Sequence, residues 1–241
     1  MKIEVWSDYV CPFCYIGKRR LEHALERFPN KDQVEVVYKS FELDPNSAVQ
    51  HNGDIHDLLA GKYGMSREQA MASNRSVGEA ARGVGLNYDF DNMRYTNTFD
   101  AHRLAHFATE KGLPQALTER LMQAYFTEGA FLGDHEELAK LAAEAGLDKE
   151  EVLAVLKSDA YGDKVRADED EAMQLGVRGV PFFVLDGKFA VSGAQPDSVF
   201  DQALERAWGE RPALTVLGDD SAELDGCSDG SCAVPGAGKP E

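Results

Sequence analysis

Two cysteines three positions apart, Cys11 and Cys14, constrain this chain more than any other feature of its sequence. A short apolar run from Ile3 precedes them and apolar residues at helical spacing follow, which predicts a strand, a tight loop and a helix. Cys11 would then lie at the helix start, where unpaired N–H groups and the helix dipole favour a thiolate. Pro12 suits the first helical position, which needs no N–H group. The pair is therefore a candidate dithiol that exchanges electrons with other disulfides, with Cys11 as the nucleophile and Cys14 as the resolving thiol.

A zinc site is the alternative interpretation of these cysteines. A second pair, Cys227 and Cys232, lies near the end of the chain, and four sulfur ligands are a common zinc set. Zinc knuckles usually occur in short hairpins, whereas Cys11 precedes a long amphipathic segment. The sequence therefore favours redox chemistry with no metal and no cofactor. The second pair by itself fits a redox shuttle, a regulatory disulfide or a metal clip.

Composition limits the class of protein and its partners. The chain has 241 residues, 43% of them hydrophobic, which suffices for a sizeable core. Its net charge of −17 argues against nucleic acid as a partner, because binding phosphates needs a basic surface. No apolar window reaches the length of a membrane span and no signal peptide is recognisable, so we expect a cytoplasmic protein. We expect its one basic run, residues 18–20, on the solvated face of the first helix.

Hydrophobic periodicity divides the chain into a sheet-forming frame and a helical middle part. Residues 1–50 have the pattern of a strand, a helix and a second strand. Residues 51–164 carry helical patterns, and Ser66, Asp134 and Asp148 precede amphipathic stretches as helix N-caps do. We therefore predict that residues 51–164 form an all-helical insertion.

Strand patterns return in the second part of the frame, residues 165–212. An apolar run follows Val180, and Asp186-Gly187 between two apolar runs predicts a tight hairpin. Residues 213–241 are rich in Gly, Ser, Asp and Ala and predict a flexible tail. The layout predicts an α/β fold in which one sheet flanked by helices contains a large all-helical insertion.

Three sequence segments together identify a family resemblance. They are Ser7-Asp8-Tyr9-Val10-Cys11-Pro12-Phe13-Cys14-Tyr15-Ile16-Gly17, Gly176-Val177-Arg178-Gly179-Val180-Pro181-Phe182-Phe183 and Ser192-Gly193-Ala194-Gln195. The chain resembles the DsbA-like thioredoxin-fold oxidoreductases with a helical insertion, and among them the FrnE-type dithiol-disulfide isomerases, over about residues 1–210. The resemblance implies a thioredoxin fold and a thiol-disulfide oxidoreductase or isomerase. Its implied partners are disulfide-bearing proteins, with glutathione or a thioredoxin-type reductant for recycling.

The resemblance also implies roles for residues beyond the dithiol. Pro181 resembles the cis-proline that faces the dithiol in this fold, and Val180 would offer backbone groups to a substrate. Asn97 and His102 lie in a stretch similar to a family segment near the cleft, which makes them candidate substrate contacts. A helix cap and a surface histidine are the alternatives for these two residues. The tail cysteines resemble an FrnE-type tail, which favours a second redox pair.

Two further predictions concern the neighbours of the dithiol. Asp8 lies three residues before Cys11 and is a candidate proton acceptor for Cys14, with a loop or capping carboxylate as an equal alternative. Pro12 and Phe13, with Tyr15, are expected to form an apolar rim for unfolded peptide.

A second enzyme class remains open at this point. The 2-hydroxychromene-2-carboxylate isomerases and kappa-type glutathione transferases resemble this scaffold but typically carry serine at the position of Cys11. A glutathione-dependent isomerase or transferase is therefore the alternative function, with a glutathione-like anion bound at Ser192 to Gln195. The sequence does not give the redox potential, and hence the preferred direction of exchange.

Overall fold

The computed structural model describes residues 1–210, and the tail cysteines Cys227 and Cys232 lie outside the described residues. The strands are β1 (Lys2–Ser7), β2 (Glu35–Ser40), β3 (Phe182–Leu185) and β4 (Phe189–Ser192). The helices are α1 (Pro12–Arg27), α2 (Ile55–Tyr63), α3 (Arg67–Arg82), α4 (Phe99–Glu110), α5 (Pro114–Glu128), α6 (His135–Glu144), α7 (Lys149–Leu156), α8 (Gly162–Gln174) and α9 (Asp197–Gly209). Within residues 1–210, no helix is both long and apolar enough to span a bilayer.

The four strands form one mixed sheet in the order β2-β1-β3-β4. β1 pairs with β2 in parallel and with β3 antiparallel, and β3 and β4 form an antiparallel hairpin. Asp186 and Gly187 both have positive φ, 48° and 66°, as a type I′ turn requires. This arrangement confirms the predicted α/β fold of the thioredoxin type, with helices α2–α7 inserted between β2 and α8.

The helices of the middle part begin at the predicted caps. Ser66 and Gln69 form a reciprocal capping box at the start of α3. The carboxylates of Asp134 and Asp148 accept N–H groups in the first turns of α6 and α7. Local side-chain chemistry therefore sets these three boundaries.

Helix α1 belongs to two hydrophobic cores at once. Leu21 and Ala24 pack with the sheet and α9, in a cluster that includes Phe183. The start of the same helix, with Tyr15 and Ile16, packs into a larger cluster built from the inserted helices. The start of α1, where Cys11 is the N-cap and Cys14 lies in the first turn, is therefore enclosed by the inserted helices, whereas the later turns pack on the sheet.

The prediction that residues 18–20 face solvent is wrong for Lys18. Its side chain is only 4% exposed and its Nζ contacts Glu22 and Glu119, each at 2.5 Å. Arg19 also pairs with Glu119. Because α5 covers this face of α1 and supplies Glu119, the lysine lies at a charged contact between the two helices.

Candidate active site

The two thiols lie together at the start of α1. Cys11 is the N-cap in an extended conformation, Pro12 is the first helical residue, and Cys14 lies in the first turn. Both cysteines are free thiols and are buried, with 4% and 2% of their surfaces exposed. Cys11 therefore lies at the helix start, beside the unpaired N–H groups of the first turn.

The loop before β3 faces Cys11. The Cys11 thiol donates a hydrogen bond to the Val180 carbonyl at 3.6 Å, and the Val180–Pro181 peptide bond is cis. Val180 is half-buried, so its backbone lies beside the thiol at the edge of the site. The structure thus brings Cys11, Val180 and Pro181 together.

Gly17 permits this close approach of loop and helix. A Cβ atom at position 17 would lie 2.9 Å from Pro181 Cγ and 3.1 Å from Phe183 Cζ. Both distances are shorter than ordinary carbon–carbon contacts of roughly 3.5–4.0 Å. The absence of a side chain at Gly17 therefore lets α1 pack directly against Pro181, the residue after the Val180 carbonyl that contacts Cys11.

Cys14 lies on the inner side of the pair, away from solvent. Burial raises its pKa well above the usual thiol range, and the neighbouring Cys11 raises it further. The backbone N–H of Asp8 donates to Cys14 Sγ at 3.5 Å and favours the thiolate. Cys14 is therefore held as a protonated thiol in the reduced protein, and it must lose that proton before it can act as a nucleophile.

Asp8 and His102 form a buried pair near this thiol. Asp8 Oδ1 and His102 Nε2 are 3.3 Å apart, and Asp8 Oδ2 accepts the Leu43 N–H at 2.8 Å. The two side chains are 1% and 3% exposed. Asp8 thus has a loop-capping contact as well as a place near the dithiol. The interpretation of His102 as a surface histidine is wrong, and its burial also separates it from any substrate outside.

Asn97 belongs to the start of α4. Its Oδ1 accepts the Phe99 N–H at 2.9 Å, and its Nδ2 lies 3.4 Å from Glu42. Glu42 is buried and pairs with Arg166 at 2.5 Å, while burial raises its pKa. The described contacts of Asn97 therefore give it the role of a helix cap. Sequence reasoning missed Glu42, because no local pattern marks a buried glutamate after a strand.

The rim around the dithiol is partly apolar. Phe13 is 47% exposed, whereas Tyr15 is buried, so the expectation that Tyr15 forms part of an exposed rim is wrong. The Pro12 carbonyl accepts a hydrogen bond from the Tyr88 hydroxyl at 2.8 Å. Burial raises the pKa of Tyr88, so this donor stays protonated. Tyr88 comes from the insertion, and no signal in its surrounding sequence links it to the first turn of α1.

The described part of the chain contains no group of three or more His, Cys, Asp or Glu side chains arranged to hold a metal ion. The four-cysteine zinc alternative also needs Cys227 and Cys232, which lie outside the described residues. What residues 1–210 bring together is a thiol pair, a carbonyl beside a cis-proline, and a buried Asp–His pair.

The chain is similar in sequence to a known protein family and to a curated relative. The model of the DSBA-like thioredoxin domain matches residues 2–205. The chain belongs to the DSBA-like thioredoxin domain family. A curated relative, the uncharacterized protein YwbO of Bacillus subtilis, is 33% identical over 206 residues, which cover 84% of this chain and 94% of YwbO.

Two solved structures define the likeness further. The probable DsbA oxidoreductase SCO1869 of Streptomyces coelicolor is 49% identical, with a TM-score of 0.86 over 98% of this chain and 100% of that one. The cytosolic disulfide reductase DsbM of Pseudomonas aeruginosa, also solved with GSH, is 19% identical, with a TM-score of 0.59 over 87% of this chain and 99% of that one. At that identity DsbM shows the fold alone. The family places the chain among thiol-disulfide oxidoreductases.

Proposed function

We propose that this DsbA-like protein is a dithiol-disulfide oxidoreductase of the FrnE type that reduces or isomerises protein disulfides in the cytoplasm. The observation that carries the proposal is the position of two free thiols at the start of α1, with Cys11 against the Val180 carbonyl. The similar fold of DsbM, a cytosolic disulfide reductase, supports the compartment and the direction.

Cys11 is the attacking thiol in this proposal. Its thiolate, stabilised by the first turn of α1, attacks one sulfur of a substrate disulfide, and the other substrate sulfur leaves as a thiolate. Val180 lies next to this mixed disulfide and offers its backbone to an extended substrate segment. Phe13, nearly half exposed, and Pro12 supply apolar contact for an unfolded peptide.

Cys14 completes the exchange. After it loses its proton, its thiolate attacks Cys11 Sγ, the second substrate sulfur leaves, and a Cys11–Cys14 disulfide forms. Asp8 is the proposed proton acceptor, because it belongs to the buried network beside Cys14 and carries the nearby carboxylate. Reduction of the new disulfide by glutathione or a thioredoxin-type protein would return the enzyme to its starting state.

Thiol exchange is better supported than glutathione-dependent isomerisation. That alternative needs one activating group for the glutathione sulfur, whereas this chain has two adjacent free thiols. Cys14 is only 2% exposed, which suits a resolving thiol that acts after a mixed disulfide forms. A buried second thiol has no evident use in the alternative reaction.

Reduction of insulin with glutathione as the electron donor tests the assignment. We expect Cys11→Ser to abolish activity and Cys14→Ser to accumulate mixed disulfides with substrate. A Cys227→Ser/Cys232→Ser variant serves as the control that retains the Cys11–Cys14 pair. Full reduction of insulin by Cys11→Ser would refute the assignment of Cys11 as the nucleophile. Glutathione-dependent isomerase activity in that variant would favour the glutathione-dependent isomerases as the enzyme class.

Two measurements address the direction of exchange and the partners. Equilibration of the Cys11–Cys14 pair with glutathione gives its potential, within a range that spans roughly −270 to −120 mV for related dithiols. A potential near the lower limit would support a reductase, and one near the upper limit would support an oxidase. Refolding of a scrambled disulfide substrate then tests isomerase activity directly.

A further inference from the structure

The 192–195 turn, which begins at the last residue of β4 and carries the Ser-Gly-Ala-Gln motif, contacts the loop beside the dithiol. The Gly193 N–H donates to the Pro181 carbonyl at 2.8 Å. Phe182 and Ser192 form the last residue pair of the β3–β4 ladder, so this bond extends the ladder by one more pair. The turn therefore holds the cis-proline from the side of the hairpin.

Hydrogen bonds within the turn fix its shape. The Gln195 N–H donates to the Gly193 carbonyl at 2.9 Å, and Gln195 Nε2 donates to the Ser192 carbonyl at 2.8 Å. Gly193 has a φ of 79°, in the left-handed region that glycine adopts without strain. The N–H groups of Gly193 and Gln195 are thus engaged within the protein and are not available to a bound anion. The motif is therefore better suited to support a neighbouring loop than to bind glutathione.

Arg20 connects this turn to α1. Its guanidinium donates through Nη1 to the Ala194 carbonyl, and the residue is half-buried. Gly17 lies three residues earlier, on the same face of the helix, and it approaches Pro181 closely. One face of α1 therefore contacts both the cis-proline and the turn that holds it.

The contact of Arg20 differs from those of the other two cations in the basic run, residues 18–20. Lys18 and Arg19 pair with Glu119 of α5, whereas Arg20 donates to a backbone carbonyl. Hydrogen bonds from a guanidinium are stronger than those between neutral groups, and the guanidinium keeps its charge at any physiological pH. A half-buried cation bonded to the backbone of a turn is suited to fix the position of that turn.

We propose that Arg20 is a positioning residue that favours peptide disulfides over small ones. It holds the 192–195 turn against Pro181, and the turn in turn fixes the Val180 backbone that receives an extended substrate segment. This inference rests on the proposed function and names the class of substrate that depends on the loop. Because the Val180 carbonyl accepts the hydrogen bond of the Cys11 thiol, a peptide joined to Cys11 lies beside this loop.

The exchange of sulfurs itself needs none of these contacts. Attack by Cys11 forms a bond to one substrate sulfur and breaks the substrate disulfide, whose other sulfur leaves as a thiolate. A small disulfide needs only the thiol for this step, whereas a peptide must also align its backbone with Val180. Loss of the Arg20 contact should therefore weaken the binding of a peptide disulfide and leave the reactivity of Cys11 intact.

Single-turnover reduction of two disulfides, with the reduced protein as the only reductant, tests the inference. Insulin has a peptide backbone, and hydroxyethyl disulfide is small and uncharged. Arg20→Met keeps the apolar stem but loses the donor. We expect its half-saturating insulin concentration to rise by about 3–10-fold, the equivalent of one substrate hydrogen bond. Its maximal rate with insulin and its rate constant with hydroxyethyl disulfide should match the wild type.

Two further variants separate the hydrogen bond from other effects. Arg20→Lys keeps a charged donor for this single bond, so its half-saturating insulin concentration should lie closer to that of the wild type. Arg27→Met is the matched control, because Arg27 also links α1 to the end of the fold but pairs with Asp197 and Asp201 of α9. We expect Arg27→Met to match the wild type with both disulfides.

Three results overturn the inference. They are an unchanged half-saturating insulin concentration in Arg20→Met, an equal loss with both disulfides, and an Arg20→Lys variant as weak as Arg20→Met. An effect of Arg27→Met on insulin as large as that of Arg20→Met also overturns it, because general loosening of α1 would then explain both. Failure of the wild type to reduce insulin would instead overturn the proposed function.

Discussion

Gly17 provides the sharpest test of how the packing of α1 supports the dithiol. In Gly17→Ala the new methyl group would lie 2.9 Å from Pro181 Cγ, so one of the two must move by at least about half an ångström. Pro181 follows Val180, whose carbonyl accepts the Cys11 hydrogen bond at 3.6 Å. Movement of this loop therefore changes the position of the carbonyl relative to the attacking sulfur.

The expected magnitude follows from two opposing effects. Alanine stabilises a helix interior by roughly 0.5–1 kcal/mol over glycine, while overpacking of a core costs about 1–3 kcal/mol. Gly61, in α2, isolates the first effect, because a Cβ there would meet no atom within 4 Å. The free energy of unfolding should therefore rise by about 0.5–1 kcal/mol in Gly61→Ala. The difference between the two variants should equal the packing cost, about 1–3 kcal/mol in favour of Gly61→Ala.

Urea unfolding of the reduced proteins measures the free energy of unfolding of both variants, and the rate of insulin reduction measures the activity of the dithiol site. We expect Gly17→Ala to be less stable than Gly61→Ala and slower than the wild type, and we expect Gly61→Ala to retain the wild-type rate. Equal stability of the two variants would refute the argument that Gly17 is needed for close approach to Pro181.

Three further outcomes are expected. Burial alone would raise the pKa of Glu119, yet Lys18 and its other partners hold that pKa below the usual carboxyl value. Glu119 therefore contributes to stability above roughly pH 4.3, and this contribution is lost as pH falls through the lower folded-state pKa. We expect Glu119→Gln to have a free energy of unfolding about 1–3 kcal/mol lower at neutral pH. Its loss of stability in acid should also be less steep than that of the wild type. Asp8→Asn should slow release of the mixed disulfide by about 10²-fold while leaving its formation nearly unchanged. Equal effects on both steps in rapid-mixing experiments would show that Asp8 acts only as a loop cap. Residues 219–241 lack apolar periodicity, so their deletion should leave the melting temperature nearly unchanged. The same deletion should lower the rate of isomerisation of a scrambled substrate by a modest factor. An undiminished isomerisation rate would show that the tail cysteines take no part in turnover.

Features fixed by neighbouring residues could be predicted from the sequence. The caps at Ser66, Asp134 and Asp148 and the turn at Asp186-Gly187 depend on interactions within four residues. The helix start that carries the two thiols could be predicted in the same way, because proline and helix N–H groups act locally.

Features that need two distant elements could not be predicted in this way. Lys18 belongs to a basic run, and helical periodicity gives no sign that α5 covers its face with Glu119. His102 likewise has its partner 94 residues away, in the loop before α1. Charge and spacing describe one helix at a time, so a polar residue between two helices is assigned to solvent by default.

The distance along the chain between Cys11 and Val180 has a consequence for how the protein is made. The hydrogen bond between them closes a separation of 169 residues, and the helices that enclose the first turn of α1 lie in between. During synthesis the thiols leave the ribosome early, whereas the strands that complete the sheet follow only when most of the chain is made. Contacts of such long range form late and slowly. The nascent protein therefore carries accessible cysteines before it has a redox centre.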